Sequence, residues 1–259
     1  MYSLFILFPY FCPSNSRYMK KNDLLVILAI VVILSPFFIF SDVYQAYRSL
    51  NANHGYAVSF LKFAILATFG ECIGVRIRTG SYLQQGFGFL PRAIVWGFLG
   101  ICIKMGFVIF GEGAPCILQT LGVTFPVVHP GDILRQPDFT WLKLASAFSV
   151  SCLMNLFFAP VFMTFHKLTD IHISRTGGTL RGFFSPMRFG DYFSSIDWQT
   201  MWGFVYKKTI PLFWIPAQTL NFLLPEEWRI LFAAFLSVVL GVLLAVAGAR
   251  KEKMIKVTT

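Results

Sequence analysis

Glu71 sits in the apolar run Phe69-Gly-Glu-Cys-Ile-Gly74, and a carboxylate in such a run has two uses. It either lines a polar route or pairs with a basic residue of a neighbouring loop, because an unpartnered charge in hydrocarbon is costly. Gly70 and Gly74 form a small-xxx-small pattern that lets another helix approach closely. A second set lies in Pro211-Leu-Phe-Trp-Ile-Pro216-Ala-Gln-Thr-Leu-Asn221-Phe-Leu-Leu-Pro225, where Trp214, Gln218, Asn221 and Pro225 are spaced by four, three and four. That spacing puts them on one helical stripe, and Pro216 releases the carbonyl of Leu212. The stripe reads as the lining of a cavity or as an interhelical hydrogen-bond clamp, and the residue types by themselves favour the clamp. Asn155, followed by Pro160, is the remaining polar group within an apolar run and is expected to bond another helix.

Other charged residues suggest simpler roles. Lys62 and Lys104 lie within two turns of a span end and are expected to snorkel outward. Facing one cavity instead, they would favour anions. Arg175-Thr-Gly177-Gly178-Thr-Leu-Arg181-Gly182 has the makings of an anion or lipid-headgroup cradle, a glycine-rich turn between two arginines, but it lacks the Walker pattern. His166, Asp170 and His172 resemble a metal set only superficially and are expected to be solvated in a loop, so no metal is assigned. No nucleophile motif or cofactor fingerprint is present, which assigns no catalytic residue and no cofactor. The five cysteines (Cys12, Cys72, Cys102, Cys116, Cys152) are scattered and read as free thiols.

The elements that position these groups follow from composition. Hydrophobic residues make up 56% of the 259 and charged ones 13%, with 30 Phe, which marks a membrane chain rather than a soluble one. Six apolar runs, 24–40, 57–76, 93–110, 143–165, 209–224 and 229–248, approach the length of a spanning helix. The expected fold is therefore all-α, a polytopic transmembrane bundle of about six spans. The net charge of +10 does not signal nucleic acid, because the basic residues gather between the runs. With the N-terminus in the cytoplasm, sixteen Lys and Arg fall on the inner side and four on the outer, which predicts both termini inside.

Residues 1–18 read as an over-extended start or a disordered N-terminus, and 19–259 as a single integral membrane domain. The stretch 111–142, rich in Gly and Pro, predicts an outer loop with at most a short turn near 116–121. Residues 197–208 predict an interfacial amphipathic helix with Asp197 as its N-cap, and Pro211 the turn into the membrane. Arg78-Thr-Gly80 and Arg175-Thr-Gly177 each predict a helix end with a left-handed glycine.

The run Trp214…Gln218-x-x-Asn221-Phe222…Pro225-x-x-x-Arg229 resembles the C-terminal signature of the Mpv/PMP family of peroxisomal and inner mitochondrial membrane proteins, which has bacterial relatives. Met154-Asn-Leu-Phe-Phe-Ala-Pro160 is similar to a second family element, and Gly70-Glu71 to the glycine-aspartate of its first span. Pro216 falls one residue later than the family's proline, Pro225 one earlier, and Met154 stands where an acidic residue is expected. The third run also lacks the family's usual proline and aromatic cluster. The resemblance covers about residues 57–248, leaves the first span as an addition, and suggests a divergent bacterial relative.

It implies an integral membrane protein with a proposed small-solute channel role and no enzyme activity. Glu71, Asn155, Gln218, Asn221, Trp214 and Arg229 are then the pore or polar-core candidates, and Arg175, Gly177, Gly178 and Arg181 the anion or headgroup candidates. The alternatives are a structural adaptor whose polar residues only fix packing, and a membrane-embedded enzyme acting on lipid. The expected partners are the lipid bilayer and small solutes, with no nucleic acid and room for a homo-oligomer. The expected location is a bacterial cytoplasmic membrane, or else an organelle membrane.

Overall fold

A computed structural model describes the backbone of residues 21–258 and the side chains of 21–242 apart from Leu34 and Phe38. The readings of residues 1–18 and Cys12 lie outside the described residues. All regular structure among those residues is helical. Three helical segments, Gly55–Thr79, Phe89–Thr120 and Trp141–Arg175, are long and apolar enough to cross a membrane. A fourth is added if the bent pair Lys21–Phe37 and Ser41–Asn53, at 86°, counts as one span. Helices of this length and composition fit a membrane protein.

Helix α1 (Lys21–Ile39) and α2 (Ser41–Asn53) lead into α3 (Gly55–Thr79), which ends at Gly80 with φ 80°. Gly80 N–H caps Arg76 O at 2.9 Å, a left-handed stop that costs glycine no Cβ clash. Arg76 reaches back to the start of α1, donating to both oxygens of Asp23 at 2.9 and 2.6 Å. This fork geometry ties the first helix to the end of α3.

Helix α4 (Phe89–Thr120) overturns the reading of 111–142 as a loop from its first residue. It runs straight through Gly111, Gly113 and Pro115, because one lost hydrogen bond costs less than exposing several backbone groups beside lipid. The loop proper begins after Gly122, and its 3-10 turn Pro130–Arg135 drives Ile133 and Leu134 into the core. There Leu134 O accepts from Arg229 Nη2 at 2.8 Å. Ala114 and Pro115 are buried, so the helix extension packs rather than projecting.

The next segment is α5 (Trp141–Leu153), a five-residue π turn Met154–Phe158, and α6 (Ala159–Arg175). Thr140 caps α5, accepting from Lys143 N at 3.0 Å. Short helices α7 (Leu180–Phe183) and α8 (Phe189–Ser194) pack on the end of α6, Phe183 of α7 against Ile173 and Tyr192 of α8 with Leu168 and Ile171. The single turn α9 (Trp198–Thr200) opens the following helix, and Asp197 caps it by accepting from Thr200 N at 3.1 Å and Thr200 Oγ1 at 2.7 Å. The Thr200 hydroxyl, more than any other neighbour, holds the Asp197 carboxyl below its ordinary range.

That helix does not break at Pro211. It continues as a π helix over Met201–Trp214 and then as α10 (Ile215–Leu223). Ile215 N–H reaches back five residues to Ile210 O, so the ladder is already widened where Pro216 withholds its N–H. The proline marks a change of helical register, not a turn. Trp202 and Phe204 are exposed, and Lys207 Nζ lies 5.6 Å from the Trp202 ring centre. Helix α11 (Glu226–Thr258) completes the chain and packs along α3, with Gly70 against Val238.

The core joins Phe63 of α3, Phe107 of α4, Val150 of α5, Phe222 of α10 and Ala234 of α11. Gly100 of α4 lies directly against α3, where an added Cβ would stand 2.7 Å from Ser59 O and Phe63 Cβ. Small residues permit that approach where no hydrophobic effect drives helices together.

Candidate functional site

Helix α3 carries Glu71 eight residues before its last residue, Thr79, roughly 12 Å along the axis at helical rise. The first turn of α4 brings Arg92 opposite it, and one turn later Trp96. Arg92 Nη1 donates to Glu71 Oε2 and to Asp170 Oδ1 of α6, both at 2.6 Å. Its Nε donates to Phe87 O at 2.8 Å, which fixes the guanidinium plane. Trp96 Nε1 donates to the second Glu71 oxygen at 2.7 Å. His166, one turn before Asp170, places Nε2 3.6 Å from Glu71 and 3.8 Å from Asp170, and its ring centre lies 4.4 Å from that of Trp96. Both Glu71 oxygens are thus engaged and three helices are tied together.

Two carboxylates and one guanidinium leave one unit of negative charge, which a protonated His166 would cancel. The ligand atoms of Glu71, His166 and Asp170 fall within 4.8 Å of one another, a spacing compatible with a metal ion. Arg92 already touches both carboxylates and supplies the positive charge there. The grouping of His166 and Asp170 with His172 as solvated loop residues is corrected: all three lie on α6. His172 is buried and turns away, with Nδ1 3.3 Å from Tyr192 OH and Nε2 2.9 Å from Phe183 O.

Beside this cluster is a cavity of about 710 Å³. Glu71, Asn155, Trp214 and Gln218 all line it, although they come from α3, the π turn, the π helix and α10. Asn155 sits in the π turn and, instead of bonding another helix, donates to Ser151 O one turn back at 2.9 Å. Ser151 Oγ in turn donates to Ile215 O at 2.7 Å.

Asn221 lies elsewhere. It is fully buried, donating from Nδ2 to Gln218 Oε1 at 2.8 Å, with its own Oδ1 unpartnered among the described residues. Arg229 is also outside the cavity: it donates to Leu224 O and Leu134 O and stacks its guanidinium 5.6 Å from the Phe222 ring centre. Phe107 and Phe222, with ring centres 4.9 Å apart, sit one helical turn beyond the cavity residues Ile103 and Gln218. Beyond that layer is a separate void of about 40 Å³ lined by Lys104, Glu112 and Arg229. The cavity is closed at this end. At the other, the exposed residues Gln84, Gln85 and Ser174 form its mouth.

Lys62 and Lys104 face away from the large cavity. Lys62 donates to Asn51 Oδ1 at 2.6 Å over the Tyr47 ring, and Lys104 to Glu226 Oε1 at 3.2 Å. The Arg175–Arg181 turn is a packing element: at Gly178, φ 68°, an added Cβ would meet Gly86 O and Gly88 N at 2.6 Å. Gly177 is left-handed too, Arg175 lies over Tyr192, and Arg181 is exposed.

Arg92, Trp96, His166 and Asp170 were not singled out as partners of Glu71. The usable signal is their spacing, since Arg92 and Trp96, like His166 and Asp170, are four apart and share a helical face. Comparison with protein-family models, curated proteins and solved structures finds no match to this chain.

Proposed function

We propose that this protein is a multi-pass membrane protein of the Mpv/PMP type that provides a gated pathway for small solutes. The observation that carries this reading is the convergence of Glu71, Asn155 and Gln218 from three separate elements on one cavity closed by an aromatic layer. Buried polar groups are expensive in a membrane interior, so their gathering around a volume that water can enter favours a solute route. The pathway has six spans, with the basic ends of α3, α4 and α6 and both termini in the cytoplasm. The Phe107–Phe222 layer is its gate. Asn221 and Arg229 hold that gate together rather than touching solute, so a packing role belongs to them specifically.

Purified protein in liposomes tests the reading through efflux of entrapped small solutes. The wild type should release them faster than empty vesicles, Glu71→Gln and Gln218→Leu should alter the rate, and Phe222→Ala should raise it by about tenfold, as expected for removal of a ~1.4 kcal/mol barrier. Release equal to that of empty vesicles for all four proteins would reject the pathway.

A further inference from the structure

The large cavity has its charges matched and some of its hydrogen-bonding groups unmatched. Arg92 bonds both wall carboxylates, Glu71 and Asp170. Lys167 at the edge interacts with Asp197, and Arg78 has a partner of its own. An ion entering here would bring an unbalanced charge among Phe158, Phe162 and Trp214, where burying it is costly.

The free groups are uncharged. Asn155 and Gln218 line the cavity and are each more than nine-tenths buried. Asn155 Nδ2 is held by Ser151 O, which leaves Oδ1 as the half of the amide without a partner among the described residues. Gln218 Oε1 accepts from Asn221, leaving Nε2 as a free donor. Trp214 Nε1, one helical turn before Gln218 on the same stripe, is a second free donor. The sealed side-chain atoms without partners are others, Thr68 Oγ1, Ser146 Oγ and Asn221 Oδ1, so water can reach these three.

Their spacing narrows the class of ligand. Arg229 joins Leu224 O, at the end of α10, to Leu134 O, in the segment that enters α5, so α5 and α10 run antiparallel. From the contact of Ser151 with Ile215, Asn155 and Gln218 lie about one turn away in opposite directions, roughly 10 Å apart along the axes. Two donors and an acceptor spread over that length suit a ligand with several hydroxyl groups, since each hydroxyl both donates and accepts.

We propose that the cavity binds an uncharged polyhydroxy solute of the sugar or polyol class, with hydroxyls on Trp214 Nε1, Gln218 Nε2 and Asn155 Oδ1 and its carbon skeleton against Phe158 and Phe162. This deepens the pathway reading by naming the class of solute, and rests on it. At about 710 Å³ the cavity lies within the ~300–1,000 Å³ typical of small-molecule sites. A ligand short of hydroxyls would leave the buried amides dry and unpaired, which is the stronger ground for rejecting it.

Saturation-transfer NMR of the protein in nanodiscs of zwitterionic lipid, with empty nanodiscs as blank, tests the proposal. Glucose should bind saturably. Glucuronate and glucosamine, similar rings with one negative or one positive charge, and cyclohexanol, with a single hydroxyl, should each bind at least about tenfold more weakly. Trp214→Phe removes the N–H and keeps an aromatic ring, and should weaken glucose by about fivefold, the loss of one neutral hydrogen bond. Lys104→Gln, outside the cavity, should leave glucose binding unchanged. Absence of saturable glucose binding, equal binding of either charged sugar or of cyclohexanol, or wild-type affinity in Trp214→Phe would each overturn it. Solute efflux without glucose binding rejects this inference alone, whereas saturable glucose binding without efflux rejects the pathway and leaves the site.

Discussion

Replacing Arg92 with methionine should destabilise the protein by about 3–5 kcal/mol, the cost of breaking a buried charge cluster by removing one partner. The guanidinium holds Glu71 and Asp170 at 2.6 Å each, and all three side chains are mostly buried. Without it two carboxylates face each other with only His166 between them, in a setting too apolar to screen their repulsion. Phe87 O loses its donor as well. Thermal unfolding in detergent should show the loss. The triple variant Arg92→Met, Glu71→Gln, Asp170→Asn should recover most of it, because neutral amides need no counter-charge. Failure of the triple variant to recover any stability would place the effect of Arg92 in packing rather than charge.

Adding one methyl group at Gly100 should cost about 1–3 kcal/mol, the usual range for overpacking. A Cβ there would lie 2.7 Å from Ser59 O and from Phe63 Cβ, so a backbone atom and the root of a fully buried side chain are both in the way. Neither moves unless α3 and α4 separate. The same substitution at Gly113 meets nothing within 4 Å on the same helix. Gly113→Ala should therefore stabilise by about 0.5–1 kcal/mol through backbone entropy. Opposite signs for one chemical change on one helix, read by thermal unfolding, isolate the close approach as the cause.

Much of the fold was legible because hydrophobic length is a strong signal. The runs at 57–76, 93–110 and 143–165 correspond to the three long apolar helical segments, each longer than its run. What was missed at their ends followed one rule. Proline and glycine were read as breaks at 111–115 and at Pro211, but helices beside lipid keep their ladders, by extension in one case and by π register in the other. Six spans, by contrast, is not settled by length and composition, which give three or four among the described residues. Of the site, Glu71, Asn155, Trp214 and Gln218 stood out as polar or aromatic groups in apolar surroundings. Arg92 was counted as an inner-loop charge and His166 as a solvated one, because nothing local tells that α3, α4 and α6 meet at that level.

The cavity itself is the central claim, and side-specific thiol labelling tests it most directly. With Cys12, Cys72, Cys102, Cys116 and Cys152 replaced, Gln218→Cys in oriented vesicles is exposed to a membrane-impermeant maleimide. An exposed control, Ser185→Cys on the basic side, identifies the face reached by the reagent. The account predicts labelling of Gln218→Cys only from the side that labels Ser185→Cys, and none of Val150→Cys, a fully buried core position outside the gate, from either side. Protection of Gln218→Cys from both sides, with full labelling after denaturation, would mean that the polar residues face a dry bundle and would contradict it.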